Sequence, residues 1–200
     1  MQPKRATMKD IKPGYTRVST IISSVPTYAN GIFSFPMQQI DQEMLARKAQ
    51  LGSNVHSAID HHIKGDFYPL NESEQGYYDS YVKWAGKTKL MAIETEMRLY
   101  EESMKITGCI DMMGKIQGSD EWCIIDFKCT VAEDAKKWPL QASFYAFLLS
   151  QNRFGMPKTA LFVRLDKNGD LPTVYEYKLT QELQVAVIST YNVYKYVTGK

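Results

Sequence analysis

Trp122-Cys-Ile-Ile-Asp-Phe-Lys-Cys129 is apolar enough to be a central strand of a sheet, yet it carries Asp126 and Lys128. Strand alternation puts those two side chains on one face. A second apolar run, Ile106-Thr-Gly-Cys-Ile-Asp-Met-Met113, carries a single acid, Asp111. Charges in central strands are costly unless something pairs them. If Asp111 and Asp126 lie side by side across the two strands, their repulsion makes a bare site unfavourable. A hard divalent cation is the usual remedy, and Mg²⁺ is the natural one. The plain alternative is an ion pair between Lys128 and one aspartate at a strand end, with the other aspartate at an edge.

The elements around these strands set the fold class. Residues 92–100 alternate Ile93, Thr95, Met97 and Leu99 with Glu94, Glu96 and Arg98, the two-residue repeat of a half-buried strand. With 105–114 and 121–129, and a turn at 117–120, this predicts an antiparallel meander. A helix follows at 139–151, with Leu140, Phe144, Phe147 and Leu148 as its stripe and Pro139 in its first turn. Strands at 159–165 and 173–179 are expected to form a hairpin through Asn168-Gly169. The strand, helix and strand from 121 to 165 then make a right-handed parallel crossover.

Upstream, Met44, Leu51, Val55, Ile59 and Ile63 recur at helical steps, giving a long helix over 38–64 or two joined near Gly52. A second helix over 73–87 carries Tyr77, Tyr81, Trp84 and Ala85 and is capped by Asn71 or Ser73. A last helix spans 181–196. Residues 19–24 form a short apolar stretch, and Pro26–Pro36 reads as a loop broken by Gly and Pro. The architecture is an α/β domain, a mixed central sheet flanked by helices. Residues 1–15 read as a flexible arm and 16–200 as one domain.

Composition narrows the function. A chain of 200 residues with 24 Lys and Arg against 22 Asp and Glu has a net charge of +2. It lacks the basic excess of a protein that holds nucleic acid by bulk charge, so any such contact must be local. Lys83, Lys87, Lys89, Lys136 and Lys137 could ring a cleft or simply be solvated. Cys109, Cys123 and Cys129 suit neither a disulfide framework nor zinc, and a reducing cytoplasm is expected. No run is long and apolar enough for a membrane helix, and no Walker loop, GxSxG, HExxH or GxGxxG is present.

Two further groups border the acids. His56 follows Gly52 by one helical turn and lies at the edge of the buried stripe, a position where histidine is more often a packed boundary residue than a ligand. Gln141 and Tyr145 share one helix face after the Asp126-x-Lys128 triplet and could merely edge the core.

Taken in order, Gly52-x-x-x-His56, Glu96, Gly108-x-x-Asp111, Asp126-x-Lys128 and Gln141-x-x-x-Tyr145 resemble the PD-(D/E)XK nuclease superfamily, and within it the RecB-like branch. The likeness spans about 15–150. Arg17-Val-Ser-Thr-Ile-Ile22 is also similar to the start of mitochondrial genome maintenance exonucleases and their phage relatives. The resemblance implies a restriction-endonuclease-like core and a deoxyribonuclease, an exonuclease on DNA ends or single strands, serving recombination, replication or repair in a phage or bacterium. It implies Mg²⁺ or Mn²⁺ held by His56, Asp111, Asp126 and the Phe127 carbonyl, with Lys128 positioning the attacking water. By the same resemblance Glu96 is catalytic, although Glu94 is an alternative register, and Gln141 and Tyr145 meet the substrate. Two departures are the missing proline before either aspartate and the missing cysteine quartet, so no iron–sulfur cluster is expected.

Overall fold

The apolar run at 123–128 forms strand β4 (Cys123–Lys128) in a computed structural model that describes residues 11–24 and 42–199. The chain order is β1 (Thr16–Arg17), α1 (Val18–Ser24), α2 (Gln42–Ile63), α3 (Glu72–Thr88), β2 (Met91–Glu101), β3 (Ile106–Lys115) and β4. There follow α4 (Lys137–Gln151), β5 (Thr159–Arg164), β6 (Thr173–Lys178) and α5 (Gln181–Thr198). The expected loop at 26–36 and the first ten residues of the expected arm lie outside the described residues.

The six strands form one mixed sheet. β2 and β3 pair antiparallel along their length, β3 and β4 pair antiparallel, and β4 and β5 pair parallel across the α4 crossover. The meander and the crossover predicted from the residues are therefore both present. β4 pairs with β3 only through Ile125, opposite Met112. At the other end of the same β3 edge sits β1, a two-residue parallel strand against Ile106 and Thr107. Between them, among the described residues, 108–111 have no strand beside them on that edge, and the sheet forks there.

Alternation along the strands divides the core in two. Ile106, Ile110, Ile124 and Phe162 pack with Ile21, Phe144, Leu148 and Val187 from α1, α4 and α5. Ile125, Phe127 and Val163 face the other way, against Val55, Ile59, Tyr81 and Trp84 from α2 and α3. Phe127 meets Tyr81 and Trp84 edge-on at centroid distances of 5.4 and 6.1 Å, contacts worth about 0.5–1.5 kcal/mol each beyond burial. They fix the peptide between Asp126 and Lys128. On the opposite face, α4 lies so close to β3 that a Cβ on Gly108 would stand 2.8 Å from Leu148 and 2.9 Å from the Tyr145 ring.

Two expectations need correction. The long helix is unbroken at Gly52, but its apolar stripe begins to pack only at Leu51, because residues 43–50 run out beyond the core and leave Met44 47% exposed. β5 and β6 pair antiparallel in the expected hairpin, closed not by a two-residue turn but by a longer loop that contains Asn168-Gly169. β5 ends at Arg164 and β6 starts at Thr173, and only Gly169, with φ of 81°, has the left-handed backbone that such a turn requires at both positions. Instead, Asp166 organises the connection, its Oδ1 accepting from the Asn168 N–H at 2.8 Å. Lastly, Ile93 is exposed, because the register of β2 slips by one residue between Ala92 and Glu94. The α3 cap is as expected: Asn71 and Glu74 form a capping box in which the Asn71 N–H donates to Glu74 Oε2 at 3.0 Å.

Candidate active site

Glu96 and Asp111 face each other where β2 and β3 both change face. Thr95 pairs with Met112 and Met97 with Ile110, so Glu96 falls opposite Asp111. On β3, Ile110 belongs to one core and Met112 to the other, although residues two apart in a regular strand share a face. On β2, Met97 packs in the α4 core, whereas Thr95 Oγ1 donates to Asp60 Oδ1 of α2 at 2.5 Å. The switch on β2 is made at Glu96, whose φ of 49° is left-handed. That backbone costs on the order of 1–3 kcal/mol in a non-glycine residue and persists only where the surroundings impose it. It turns Glu96 inward and leaves Glu94 exposed, so Glu96 is the acid at the site.

α2 supplies His56 from above the fork. Val55 and Ile59 are fully buried in the second core, which holds the intervening face of the helix against the sheet. His56 Nε2 lies 2.9 Å from the Phe127 carbonyl, and since a carbonyl only accepts, Nε2 carries the proton. Nδ1 faces Asp111 Oδ1 at 3.2 Å and Glu96 Oε1 at 4.0 Å. Ligand atoms of His56, Glu96 and Asp111 all lie within 4.8 Å of one another. Asp111 Oδ2 also accepts the Phe127 N–H at 2.9 Å, a backbone donor that the fork has left without a β3 carbonyl.

From the α4 side come the remaining residues singled out in the sequence. Lys128 Nζ is 2.5 Å from Asp126 Oδ2 and donates to Gln141 Oε1 at 3.2 Å. Gln141 Nε2 in turn donates to Asp126 Oδ1 at 3.1 Å and to the Tyr145 hydroxyl oxygen at 2.8 Å. The structure thus joins Asp126, Lys128, Gln141 and Tyr145 in one network, and His56, Glu96, Asp111 and Phe127 in another beside it. Asp60 and Thr95 escaped the sequence reading. The only signal was spacing, since Asp60 lies one helical turn after His56 and therefore beside it.

Burial raises the Asp126 carboxyl to about 6, with Lys128 opposing and the Asp111 charge adding to the rise. Asp111 goes the other way. Burial pushes it up, but His56, Lys128 and the Phe127 N–H together hold it below the usual carboxylate range. Burial raises the Tyr145 phenol well above its ordinary value, so it stays a neutral donor. Three carboxylates against one lysine leave a charge of −2 when His56 is neutral. Asp126 Oδ2 is buried and receives no aligned hydrogen bond despite its contact with Lys128. A cluster short of two positive charges, with ligands of oxygen and imidazole type, fits a divalent cation.

Lys87 and Lys89, two of the lysines proposed to ring a cleft, do not gather here. The Thr88 carbonyl bonds Gln117 in the β3–β4 turn, which puts Lys87 and Lys89 at the opposite end of β4 from Lys128. Lys137 pairs with Asp134 at 3.4 Å. Among the described residues Cys109, Cys123 and Cys129 form no disulfide, and the Cys109 thiol approaches Glu96 Oε2 at 3.7 Å.

Acids and a lysine gathered where two central strands part, under a helix on each face, define the class of sheet-cored, metal-using nucleases. The model of the PD-(D/E)XK nuclease superfamily matches residues 22–191, and the chain belongs to that superfamily. The arrangement is consistent with its RecB-like branch. No curated protein matches the sequence. Among solved structures, a candidate exonuclease from Eubacterium rectale is similar with a TM-score of 0.59 and 13% identity, over 96% of this chain and 83% of that one. An alkaline exonuclease from Laribacter hongkongensis gives 0.49 at 9% identity, over 92% and 87%. The protein SSO0001 gives 0.46 at 14% identity over 78% of this chain, which covers 64% of its length. The first of these likenesses shows the same fold. Among the described residues no helix is long and apolar enough to cross a membrane.

Proposed function

We propose that the protein is a Mg²⁺- or Mn²⁺-dependent deoxyribonuclease, an exonuclease acting on DNA ends or single strands in recombination, replication or repair. The observation that carries the hydrolytic reading is the cluster of His56, Glu96 and Asp111 set against the Asp126–Lys128 pair at the sheet fork. The exonuclease mode and the phage or bacterial setting rest on the sequence resemblance. The name of the Eubacterium rectale neighbour agrees with them.

His56, Glu96, Asp111 and Asp126 would hold the cation, with the Phe127 carbonyl at their border. A divalent cation there supplies charge neutralisation for a phosphate and a more acidic water. The chain's own groups do the rest. Lys128 holds a fixed positive charge beside Asp126, where it orients the attacking water and offsets charge gathering on the phosphate oxygens. Gln141 fixes both Asp126 and Lys128 in place and leaves Tyr145 as a neutral donor toward the substrate. Glu96, held inward by its backbone, completes the acid set.

End-labelled single- and double-stranded DNA should be degraded by the protein with Mg²⁺ and left intact with EDTA. Folded protein that binds DNA but leaves it whole with every divalent ion would instead mark a silent binding module on the same fold. A narrower expectation concerns His56. Imidazole is a softer ligand than carboxylate and favours Mn²⁺ over Mg²⁺. His56→Ala should lower initial rates by about 10- to 100-fold with either ion and shrink any Mn²⁺ advantage. Circular dichroism should show the fold intact, and wild-type rates at every metal concentration would return His56 to a packing role.

A further inference from the structure

Away from the acid cluster, a cavity of about 210 Å³ opens at the C-terminal ends of β4 and β5, walled by Tyr77, Arg164, Asp166, Lys167 and Thr173 among others. Its position relative to the chemistry follows from sheet register. Arg164 is the parallel partner of Lys128, so the two residues sit on neighbouring strands about 4.8 Å apart. Two features mark the cavity as built for an anion. Arg164 is anchored at both ends of its fork, one nitrogen donating to the Val131 carbonyl and the other to Thr173 Oγ1 at 3.0 Å, which holds the guanidinium in the cavity wall. Lys167 extends from the same connection with an exposed side chain. The one acid among the described residues of the wall, Asp166, uses Oδ1 to receive the Asn168 N–H, and its own N–H donates to Ser80.

Resting on the nuclease reading above, we propose that this cavity holds a second phosphate of the substrate strand, adjacent to the one being cut. Arg164 and Lys167 would neutralise it, and the half-buried ring of Tyr77 would form the wall against its sugar. The chemistry follows from the donors. Arginine and lysine together with a threonine hydroxyl recognise phosphate oxygens without reading the base. An acidic centre repels a polyanion, so attraction must come from cations beside it. Lys87 and Lys89 are at the wrong end of the sheet, whereas Arg164 and Lys167 border the site. A phosphate held one step along the strand would also set which bond reaches Lys128.

The test uses a short fluorescein-labelled single-stranded oligonucleotide, with Ca²⁺ in place of Mg²⁺ for binding and Mg²⁺ for cleavage. Arg164→Ala and Lys167→Ala should each weaken binding about tenfold and reduce the slope of log affinity against log salt by about 0.7, the value of one phosphate contact on a single strand. Lys87→Ala should change neither. In the parent, replacing one phosphate beside the scissile bond by an uncharged methylphosphonate should weaken binding by a similar factor. In both variants that replacement should have little further effect, because the contact is already gone. Hydrolysis of bis(p-nitrophenyl) phosphate, which has no second phosphate, should keep the parental rate in Lys167→Ala. Equal sensitivity of parent and variants to the neutral linkage at every position would overturn the proposal. A parent that cleaves DNA with variants of unaltered KM and salt slope would overturn it while leaving the nuclease reading intact, whereas a parent that neither binds nor cleaves DNA would overturn both.

Discussion

Asp126→Asn is expected to melt at a higher temperature than the parent in EDTA at pH 7.5 and, with Mg²⁺, to cleave more slowly by on the order of 10³-fold. The two effects share one cause. Asp126 is 1% exposed, and burial raises its carboxyl from the ordinary aspartate range to about 6. The folded state therefore binds this proton more tightly than the unfolded chain does. The group's favourable contribution is complete below about pH 4, is lost between about 4 and 6, and is a penalty at neutral pH. At about 1.36 kcal/mol per unit the penalty is about 3 kcal/mol, and the uncharged amide avoids it. The cation relieves the same penalty in the parent. Added Mn²⁺ should therefore raise the parent's melting temperature more at pH 7.5 than at pH 5, where the carboxyl competes for a proton. Lys128→Ala separates the roles, since it should abolish cleavage and keep most Mn²⁺ affinity by calorimetric titration. Equal loss of affinity in both variants would make Lys128 structural.

Gly76→Ala should be among the most destabilising single substitutions in the molecule. An added Cβ would stand 1.8 Å from the Lys167 carbonyl oxygen and 2.6 Å from its carbon. Both are main-chain atoms, so no side chain can swing aside. Either α3 or the β5–β6 connection must move, and the bond from the Asp166 N–H to Ser80 Oγ at 3.0 Å goes with it. A loss of about 3 kcal/mol or more is expected, which lowers the melting temperature of a chain this size by about 6–12 °C. Thermal melting by circular dichroism measures it directly. A shift under a degree or two would mean that the contact is looser than this.

The contrast between what the residues disclosed and what they hid is physical. Asp126 and Lys128 were legible because charge inside an apolar run breaks a strong pattern. The meander was legible because its runs are apolar or alternating and are separated by turn residues, the 93–96 region included. Within that region nothing announces the change of face. Glu96 takes a left-handed backbone without being glycine or asparagine, and what supports it includes a bond from Thr95 to Asp60 that is distant in sequence. The β5–β6 hairpin was legible, but the shape of its loop was not. Asn168-Gly169 is a local turn signal, but Asp166, Ser80 and the tight approach of Gly76 select a longer loop. β1 was invisible because two residues carry no period at all.

The fork in the sheet also makes the site a shared possession of two separately packed layers. His56 arrives with the core of α2 and α3, Gln141 and Tyr145 with that of α1, α4 and α5, and their side chains meet only across the parted strands. Catalytic alignment then behaves like a hinge pin seated in two independent mountings. A small substitution deep in either mounting, such as Val55→Ala on one side or Leu148→Ala on the other, tilts one half of the acid set against the other. Rates should respond to such changes more steeply than the population of folded protein does, so the distant core is where variation in activity between close relatives of this chain should be sought.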